Sequence, residues 1–327
     1  MKPQHESYLS VGGMIEMNTN PVTSFIRMNL LAGIDLHCPL LQAAIALLVI
    51  GFLTVISLLK FYAYITCGRC NSDRKMKGKT VIVTGATGGI GKETAKDLAA
   101  RGARVILACR NTDYGNQIKD YGNQIKDEFV KETQNENIVV KKLDLSSQKS
   151  IREFAKDINQ TESRLDVLIH NAGTAELRSK TTEDGLELTM ATNHFGPFLL
   201  THLLIDLLKR SAPSRIVVVA SALYRFASVN LNKLNPVDSF CPGYIYYVSK
   251  YVNIYFTEEL ARRLEEQGCQ TSVYAAVSEE IEGVTGKYFI DCKEGTLSNA
   301  ARDMAKAKKV WEVSEKLVNL QPDDPKI

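Results

Sequence analysis

One long run of apolar residues dominates the hydrophobic pattern near the amino end of the chain. Leu40–Leu59 reads LLQAAIALLVIGFLTVISLL, and Gln42 is its one strongly polar side chain. Twenty residues at roughly 1.5 Å each span about 30 Å, the thickness of the hydrocarbon core of a bilayer. The pattern favours a transmembrane helix over a buried core helix. A cleaved signal peptide is disfavoured because the run is too long and starts too far from Met1.

Charges on the two sides of this run predict the orientation of the helix. Residues 60–79 contain six lysines and arginines against one aspartate, whereas the first 39 residues contain two basic and three acidic side chains. The positive-inside rule therefore places everything after residue 60 in the cytosol, and we expect the endoplasmic reticulum as the location. Tyr62 and Tyr64 lie where an interfacial aromatic belt would form. Residues 1–39 show no periodicity and are expected to be poorly ordered, and residues 60–78 form a basic juxtamembrane linker.

From Lys79 onward, short apolar runs alternate with segments of helical spacing. The predicted strands are Thr80–Thr84, Arg104–Ala108, Asn137–Leu143, Asp166–Ile169 and Arg215–Ala220. The predicted helices are Ile90–Arg101, 115–134, 147–160, 183–210 and 244–267. Such an alternation indicates a parallel sheet that is covered on both faces. The predicted fold class is therefore α/β, a doubly wound Rossmann-type sheet with its ligand crevice at the carboxyl ends of the strands.

The carboxyl-terminal tail follows this alternation. The folded domain is predicted at 79–292. Residues 293–327 are predicted to form a helical tail, and its apolar stripe favours packing against the domain over membrane contact. At the predicted helix 115–134, Tyr114–Asp120 (YGNQIKD) is repeated at once as Tyr121–Asp127. Seven residues are almost two helical turns, so a duplication extends a surface helix with a drift of about 20°. The repeat is a genuine insertion or an error in the deduced sequence, and we assign it no function.

Composition excludes several classes of function. The formal net charge is +3, and the globular part has no basic stretch interleaved with aromatics, so nucleic-acid binding is not expected. Seven cysteines form no disulfide framework and fit a reducing compartment. Cys67 and Cys70 are interpreted as ordinary juxtamembrane cysteines, with palmitoylation as the alternative. The five histidines have no metal-ligand spacing, so no metal site is expected.

A glycine-rich turn, Thr84–Gly91 (TGATGGIG), follows the first predicted strand and opens the first helix. This is the context in which such a turn binds a dinucleotide. The glycines permit a tight turn, a close approach of the backbone to the pyrophosphate, and close packing of the helix on the sheet. Free N–H groups at the start of the helix face the phosphates. The cofactor-binding residues expected in this turn are Gly85, Thr87, Gly89, Ile90 and Gly91.

The end of the second strand indicates which nucleotide is bound. In an NAD site, a carboxylate about 20 residues past the glycines binds the ribose 2′-hydroxyl. Here Arg110 stands nineteen residues after Gly91. A guanidinium pairs with a 2′-phosphate through two parallel hydrogen bonds. The predicted cofactor is therefore NADP(H), and the alternative is that Arg110 is a solvated loop residue.

A tyrosine and a lysine stand four residues apart on the fifth predicted helix. A tyrosine titrates near 10 in water, and Tyr246 must exchange a proton near neutral pH to act as an acid–base. Lys250, one turn on and on the same face, supplies a positive charge that favours the phenolate. Ser221 stands 25 residues before Tyr246 and would hydrogen-bond a substrate oxygen as charge develops on it. Tyr247 is three residues from Lys250 and is the competing tyrosine.

Together these motifs resemble the short-chain dehydrogenase/reductase family, in its retinol dehydrogenase-like branch, from about Leu40 to Phe289. The segments that match are Thr84–Gly91, Ala108–Arg110, Asp144–Ser146, Asn171–Gly173, Thr192–Gly196, Ser221, Tyr246 with Lys250, and Phe256–Leu264. The resemblance implies a catalytic tetrad of Asn193, Ser221, Tyr246 and Lys250. In addition to the glycine-rich turn and Arg110, it implies cofactor contacts from Asp144, Leu145, Asn171, Ala172, Gly173, Tyr246 and Lys250. Asn193 would anchor a water in a proton relay toward Lys250.

The chain departs from the family pattern after the Tyr–Lys helix. Family members continue into a sixth strand that ends in a Pro-Gly turn, but no such pair appears after Pro242-Gly243. Thr271–Val277 is a strand or, in better agreement with the resemblance, a later helix, with Glu282–Phe289 following as in the family. The resemblance therefore implies that a segment is absent. Without its strand, neighbouring backbone groups lose partners, and the nicotinamide and the substrate each lose a wall.

Two functions from different classes follow. The first is a membrane-anchored, NADP(H)-dependent oxidoreductase that interconverts an alcohol and a carbonyl on a small apolar substrate, such as a retinoid, a steroid or another lipid. The second is a catalytically impaired NADP-binding membrane protein, from a truncated isoform or gene model. The intact tetrad favours the first, and the missing turn favours the second. Substrate identity, reaction direction and the formation of a homo-oligomer are left open by the sequence.

Overall fold

The structure is a computed structural model of the chain. It describes residues 39–66, 70, 72–110, 121–239, 241–266, 286–290 and 293–327. The predictions outside these residues concern the amino-terminal segment, Cys67, the first copy of the seven-residue repeat and Thr271–Val277. The chain divides into two compact units, Met1–Cys67 and Gly68–Ile327.

The first unit contains a long apolar helix, α1 (Pro39–Thr66). Its window Gln42–Tyr62 spans 21 residues with a mean hydropathy of 2.5, and none of it is buried. By length and composition, this helix is able to cross a membrane. The predicted helix at 40–59 is confirmed. The helix extends past Leu59 because residues 60–67 contain neither glycine nor proline.

Five parallel strands form the sheet of the second unit. They are β1 (Thr80–Thr84), β2 (Arg104–Cys109), β3 (Ile138–Lys142), β4 (Val167–His170) and β5 (Arg215–Val218). Their order is β3-β2-β1-β4-β5, and every neighbouring pair is parallel. All five predicted strands are confirmed, and so is the doubly wound α/β class. The order reverses between β1 and β4, where ligands bind in folds of this type.

Helices cover both faces of this sheet. They are α2 (Gly89–Ala100), α3 (Tyr121–Thr133), α4 (Gln148–Thr161), α5 (Gly196–Arg210) and α6 (Pro242–Glu266). A short helical turn, Leu188–Met190, and a π-helical turn, Ala191–Phe195, lead directly into α5. The predicted start of this helix at residue 183 is wrong. Gly185 has a φ of +75°, and the Glu187 carboxylate caps the helix by accepting the N–H of Met190 at 2.7 Å.

The same strands supply side chains to two separate cores. Ile82 and Ile106 pack in a cluster with α4, α5 and α6. Val81 and Val105 pack in a second cluster with α2 and α3. Because successive residues of a strand point to opposite faces, a strand that is apolar throughout is buried on both sides. This arrangement explains the unbroken apolar runs that predicted the strands.

The carboxyl-terminal part packs against the domain, as the sequence predicted for the tail. A short antiparallel pair, β6 (Phe289–Ile290) and β7 (Lys293–Glu294), precedes the helix α7 (Met304–Leu317). Trp311 of α7 is fully buried. Its ring centroid lies 4.9 Å from that of Phe198 in α5 and 5.9 Å from that of Phe256 in α6. Of the predicted apolar stripe, Val310 is buried, and Val313, Leu317 and Leu320 are partly buried against the same core.

Candidate active site

The glycine-rich turn connects the end of β1 to the start of α2. Gly85 and Gly89 have φ values of +65° and +51°, in the left-handed region that favours glycine. A Cβ on Gly85 would lie 2.9 Å from the Cα of Ala172, and a Cβ on Gly91 would clash with the Asn171 side chain. The turn therefore lies directly against the segment that follows β4. A bulkier residue at either position would push the two segments apart.

The turn and that segment form the wall of a cavity of about 480 Å³. The predicted cofactor residues that line it are Gly85, Thr87, Ile90, Arg110, Leu145, Asn171, Ala172 and Gly173. Gly89 and Gly91 belong to the backbone of the same turn. The Asp144 carboxylate instead accepts hydrogen bonds from the N–H and the hydroxyl of Ser146, at 2.9 and 2.6 Å. Asp144 thus holds the loop that brings Leu145 to the cavity.

Arg110 lies exposed at the carboxyl end of β2, in the wall of this cavity. Among the described residues, no carboxylate forms an ion pair with its guanidinium. The charge of Arg110 acts on the carboxyl of Glu176. A hydrogen bond from Lys180 lowers the pKa of the Glu176 carboxyl, and the charge of Arg110 adds to this effect. Arg110 is therefore a cation at the edge of the cavity, close enough to Glu176 to act on that carboxyl.

The Tyr–Lys pair lies on α6, and neither of its two residues is among those that line the cavity. Lys250 is buried, and its Nζ lies 5.7 Å from the centroid of the Tyr246 ring. The ammonium donates a hydrogen bond to the carbonyl of Val219 at 2.8 Å. Burial lowers the pKa of Lys250 to about 8. A Cβ on Gly173, a residue of the cavity wall, would lie 3.5 Å from this Nζ. The Lys250 ammonium thus borders the cavity that the glycine-rich turn helps to form.

The structure distinguishes the two neighbouring tyrosines. Only the Tyr246 ring has the Lys250 ammonium over its face among the described residues. The Tyr247 ring centroid lies 6.1 Å from that of Tyr244 and 6.1 Å from that of Tyr246. The four-residue spacing, rather than the three-residue spacing, therefore brings a phenol close to the lysine.

Ser221 follows β5 and begins a short 3₁₀ helix, Ala222–Phe226. Its Oγ accepts the N–H of Leu223 at 3.3 Å and is partly exposed. This contact uses an oxygen lone pair and leaves the hydroxyl hydrogen available to donate. Ser221 thus stands at the carboxyl end of the sheet with a free donor, as a residue that stabilises a substrate oxygen must.

Asn193 lies in the π-helical turn and is almost completely buried. Its Oδ1 accepts the N–H of Thr174 at 2.8 Å, and its Nδ2 donates to the Thr174 carbonyl at 2.8 Å and to Ser249 Oγ at 2.9 Å. Both amide hydrogens are thus used by protein groups. Any water held by Asn193 would have to donate to a remaining lone pair of Oδ1 or to the main-chain carbonyl. The side chain ties the loop after β4 to helix α6.

Two hydroxyl residues with structural roles at the site were missed by the sequence analysis. Ser249 is fully buried, and its Oγ donates to the Tyr246 carbonyl at 2.7 Å while it accepts from Asn193. Thr84 Oγ1 accepts the N–H groups of Asn171 and Ala172 at 3.1 and 3.0 Å. A small hydroxyl residue between the tyrosine and the lysine was a signal available in the sequence. The contacts of Thr84 bridge 87 positions and had no local signal.

Comparison with known proteins agrees with this geometry. The family description "short chain dehydrogenase" matches residues 79–273 of the chain. The chain is 40% identical to retinol dehydrogenase 14 of Mus musculus, over 75% of this chain and 87% of that protein. It is 38% identical to retinol dehydrogenase 11 of Homo sapiens, over 89% of this chain and 100% of that protein. A crystal structure of an uncharacterized protein from Mycobacterium Paratuberculosis is 29% identical, with a TM-score of 0.62 over 78% of this chain and 98% of that chain.

Proposed function

The chain belongs to the short-chain dehydrogenase family, and on this basis we propose that it is a membrane-anchored, NADP(H)-dependent oxidoreductase. It interconverts an alcohol and a carbonyl on a small apolar substrate. The similar mouse and human proteins are named retinol dehydrogenases, which supports a retinoid, a steroid or another lipid as the substrate class. The apolar helix α1 supports attachment to a membrane. We expect the endoplasmic reticulum, with the catalytic unit facing the cytosol.

One observation supports the proposal most directly. The Lys250 ammonium lies 5.7 Å from the Tyr246 ring centroid and borders Gly173, which lines the cavity of the glycine-rich turn. A phenol beside an ammonium that borders the cavity wall is suited to proton exchange with a substrate oxygen. The absence of side chains at Gly85 and Gly91 leaves room for a cofactor backbone to approach the turn.

The chemistry of the residues follows from this arrangement. When bound, the nicotinamide supplies or accepts the hydride. Tyr246 donates its phenolic proton to the substrate oxygen during reduction and takes it back during oxidation. The Lys250 ammonium favours the phenolate, and its charge is maintained below a pH of about 8. The Ser221 hydroxyl donates to the substrate oxygen as negative charge develops on it.

Arg110 supports NADP(H) over NAD(H). Its guanidinium stands in the cavity wall without an ion-pair partner among the described residues, so it is available for a 2′-phosphate. If Arg110 is only a solvated loop residue, the chain should bind both nucleotides equally. Nucleotide titration of the full chain distinguishes these two possibilities.

A catalytically impaired NADP-binding protein is the second candidate, and three observations favour it. The sequence has no Pro-Gly pair after Pro242-Gly243. The alignment to human retinol dehydrogenase 11 extends over 329 positions but uses only 89% of the 327 residues of this chain, so the alignment contains gaps on the side of this chain. Within the described residues, β5 pairs with β4 alone. An enzyme that lacks a segment of the family would bind the nucleotide without turning over a substrate.

The test is NADPH-dependent reduction of retinal by the full chain in membranes. Tyr246→Phe should abolish the activity, and Tyr247→Phe should retain it because Tyr247 lacks the contact with Lys250. Equal loss in both variants would contradict the assignment of Tyr246. NADPH binding without turnover of retinal, steroid ketones or other apolar carbonyls would favour the second candidate. Failure to bind either nucleotide would contradict both.

A further inference from the structure

Three buried polar side chains connect helix α7 to the π-helical turn that contains Asn193. Ser314 Oγ of α7 lies 2.9 Å from His194 Nε2, and His194 Nδ1 lies 3.0 Å from Asn253 Oδ1 in α6. Asn253 Nδ2 donates to the main-chain carbonyl of Asn193 at 2.9 Å. Ser314 and His194 are completely buried, and Asn253 is 2% exposed. Ser314, His194 and Asn253 are called the buried bridge below.

The hydrogen positions in the buried bridge follow from its contacts. Asn253 must present its amide nitrogen to the Asn193 carbonyl, so its oxygen faces His194 and Nδ1 of His194 has the hydrogen. Burial lowers the pKa of His194 to about 4, so the ring is neutral near pH 7. Nε2 is then an acceptor, and the Ser314 hydroxyl donates to it. Ser314 Oγ also lies 2.8 Å from the Val310 carbonyl, but its single hydrogen cannot serve both acceptors.

The position of the bridge suggests its role. A π-helical turn is rare and is often found at functional sites, where neighbouring groups hold it in place. The inner side of this turn is held by the Asn193 side chain, through Thr174 and Ser249. Its outer side is held by the bridge, which bonds both the carbonyl of Asn193 and the adjacent His194. The catalytic asparagine is therefore fixed from two directions, and one of them begins in the carboxyl-terminal helix.

We propose that Ser314, His194 and Asn253 are positioning residues for Asn193, and that helix α7 is in this way part of the active-site machinery. This inference rests on the proposed function, because Asn193 has a catalytic role only in an oxidoreductase of that kind. Loss of the bridge should loosen the π-helical turn around Asn193, while the direct hydrogen bonds of Asn193 to Thr174 still hold the loop after β4. Cofactor affinity depends mainly on the glycine-rich turn and Arg110 and should change little.

The first test compares two buried serines in the full chain. Ser314→Ala removes the hydrogen bond to His194. Ser211→Ala is the matched control, since Ser211 Oγ donates to the carbonyl of Leu207 and accepts the N–H of Leu165 but contacts no residue of the site. Both variants should lower the thermal midpoint by a similar amount. Only Ser314→Ala should lower kcat, by about three- to tenfold, with the Kd for NADPH within about twofold of wild type. An equal kcat in the two variants overturns the proposal.

The second test does not depend on activity. The chain has five histidines, so nitrogen NMR of protein labelled at histidine, with His194→Gln for assignment, reads the ring of His194 directly. The bridge requires the neutral tautomer with hydrogen on Nδ1, and Ser314→Ala should shift the Nε2 signal without moving that hydrogen. A hydrogen on Nε2 overturns the proposal. If the wild type shows the expected tautomer but no turnover, the proposed function fails while the bridge itself stands.

Discussion

The proposed preference of this chain for NADPH over NADH rests on the guanidinium of Arg110. Among the described residues that line the cavity, Arg110 is the only cation. We predict that Arg110→Ala weakens the binding of NADPH and leaves the binding of NADH unchanged, because only NADPH has a 2′-phosphate for the guanidinium to contact.

The magnitude follows from the exposure of the side chain. A hydrogen bond to a charged group contributes about 1.5–3 kcal/mol. Arg110 is exposed to solvent, so screening places the contribution in the lower part of this range, at about 1.5–2 kcal/mol. Since about 1.4 kcal/mol is a tenfold change in affinity, the Kd for NADPH should rise by about ten- to thirtyfold.

Glu176 provides an independent test of the same site. Its carboxylate is close enough to Arg110 for the guanidinium to contribute to lowering the pKa of Glu176. Its negative charge opposes a 2′-phosphate bound at Arg110, the group that NADH lacks. Glu176→Gln should therefore tighten NADPH by about two- to threefold, as expected for a partly exposed charge pair. It should leave NADH unchanged.

The assay is a titration of the full chain in detergent, followed by the fluorescence of each reduced nucleotide, at low and high salt. The NADPH advantage should shrink at high salt, because the interaction is exposed and therefore screened. Arg178→Ala is the control, since Arg178 is an exposed arginine outside the cavity wall. Equal affinity of the wild type for the two nucleotides, or an equal loss of both in Arg110→Ala, would refute the reasoning.

Further predictions concern the lysine, the glycine-rich turn and the tail. Burial lowers the pKa of Lys250 to about 8, so the ammonium is lost as the pH rises through that value; kcat should fall there, and a constant kcat to much higher pH would contradict its role. Gly85→Ala should weaken NADPH more than about tenfold, because its φ is +65° and its Cβ would meet Ala172. A Cβ on Gly88, which also lines the cavity, meets no protein atom within 4 Å, so Gly88→Ala should weaken NADPH less. Equal affinities of the two variants would contradict this reasoning. Trp311→Ala should reduce the free energy of unfolding in urea by about 3–5 kcal/mol, and a loss below about 1 kcal/mol would mean that α7 is not part of the core.

The sheet could be predicted from the sequence because each of its signals is local. An unbroken apolar run such as Thr80–Thr84 is buried on both faces wherever it lies in a parallel sheet. Glycines at positions 85 and 89 indicate a left-handed turn without any knowledge of their neighbours. The start of the helix before α5 was predicted too early, because helical spacing alone does not reveal that Glu187 caps the chain.

Some features of the candidate site could likewise be predicted from the sequence, and others could not. The spacing of Tyr246 and Lys250 on one helix is a property of the sequence, and it brings the two side chains together in the structure. The position of Ser249 between the tyrosine and the lysine was visible in the sequence, but its partner in the π-helical turn lies 56 positions away, and a partner of Thr84 lies 87 positions away, so these contacts were not predictable. Contacts between residues so far apart in the chain leave no periodic pattern in the sequence.

The sequence by itself determined the apolar helix, the succession of strands and helices along the chain, the glycine-rich turn and the family that the chain resembles. All of these depend on residues that are neighbours in the chain or repeat at a fixed spacing. Only the tertiary structure decided how Asn193 is held and that Ser314, 120 positions from His194, reaches the same turn. Buried polar groups need hydrogen-bond partners. Which groups become partners depends on which residues the folded chain brings close together.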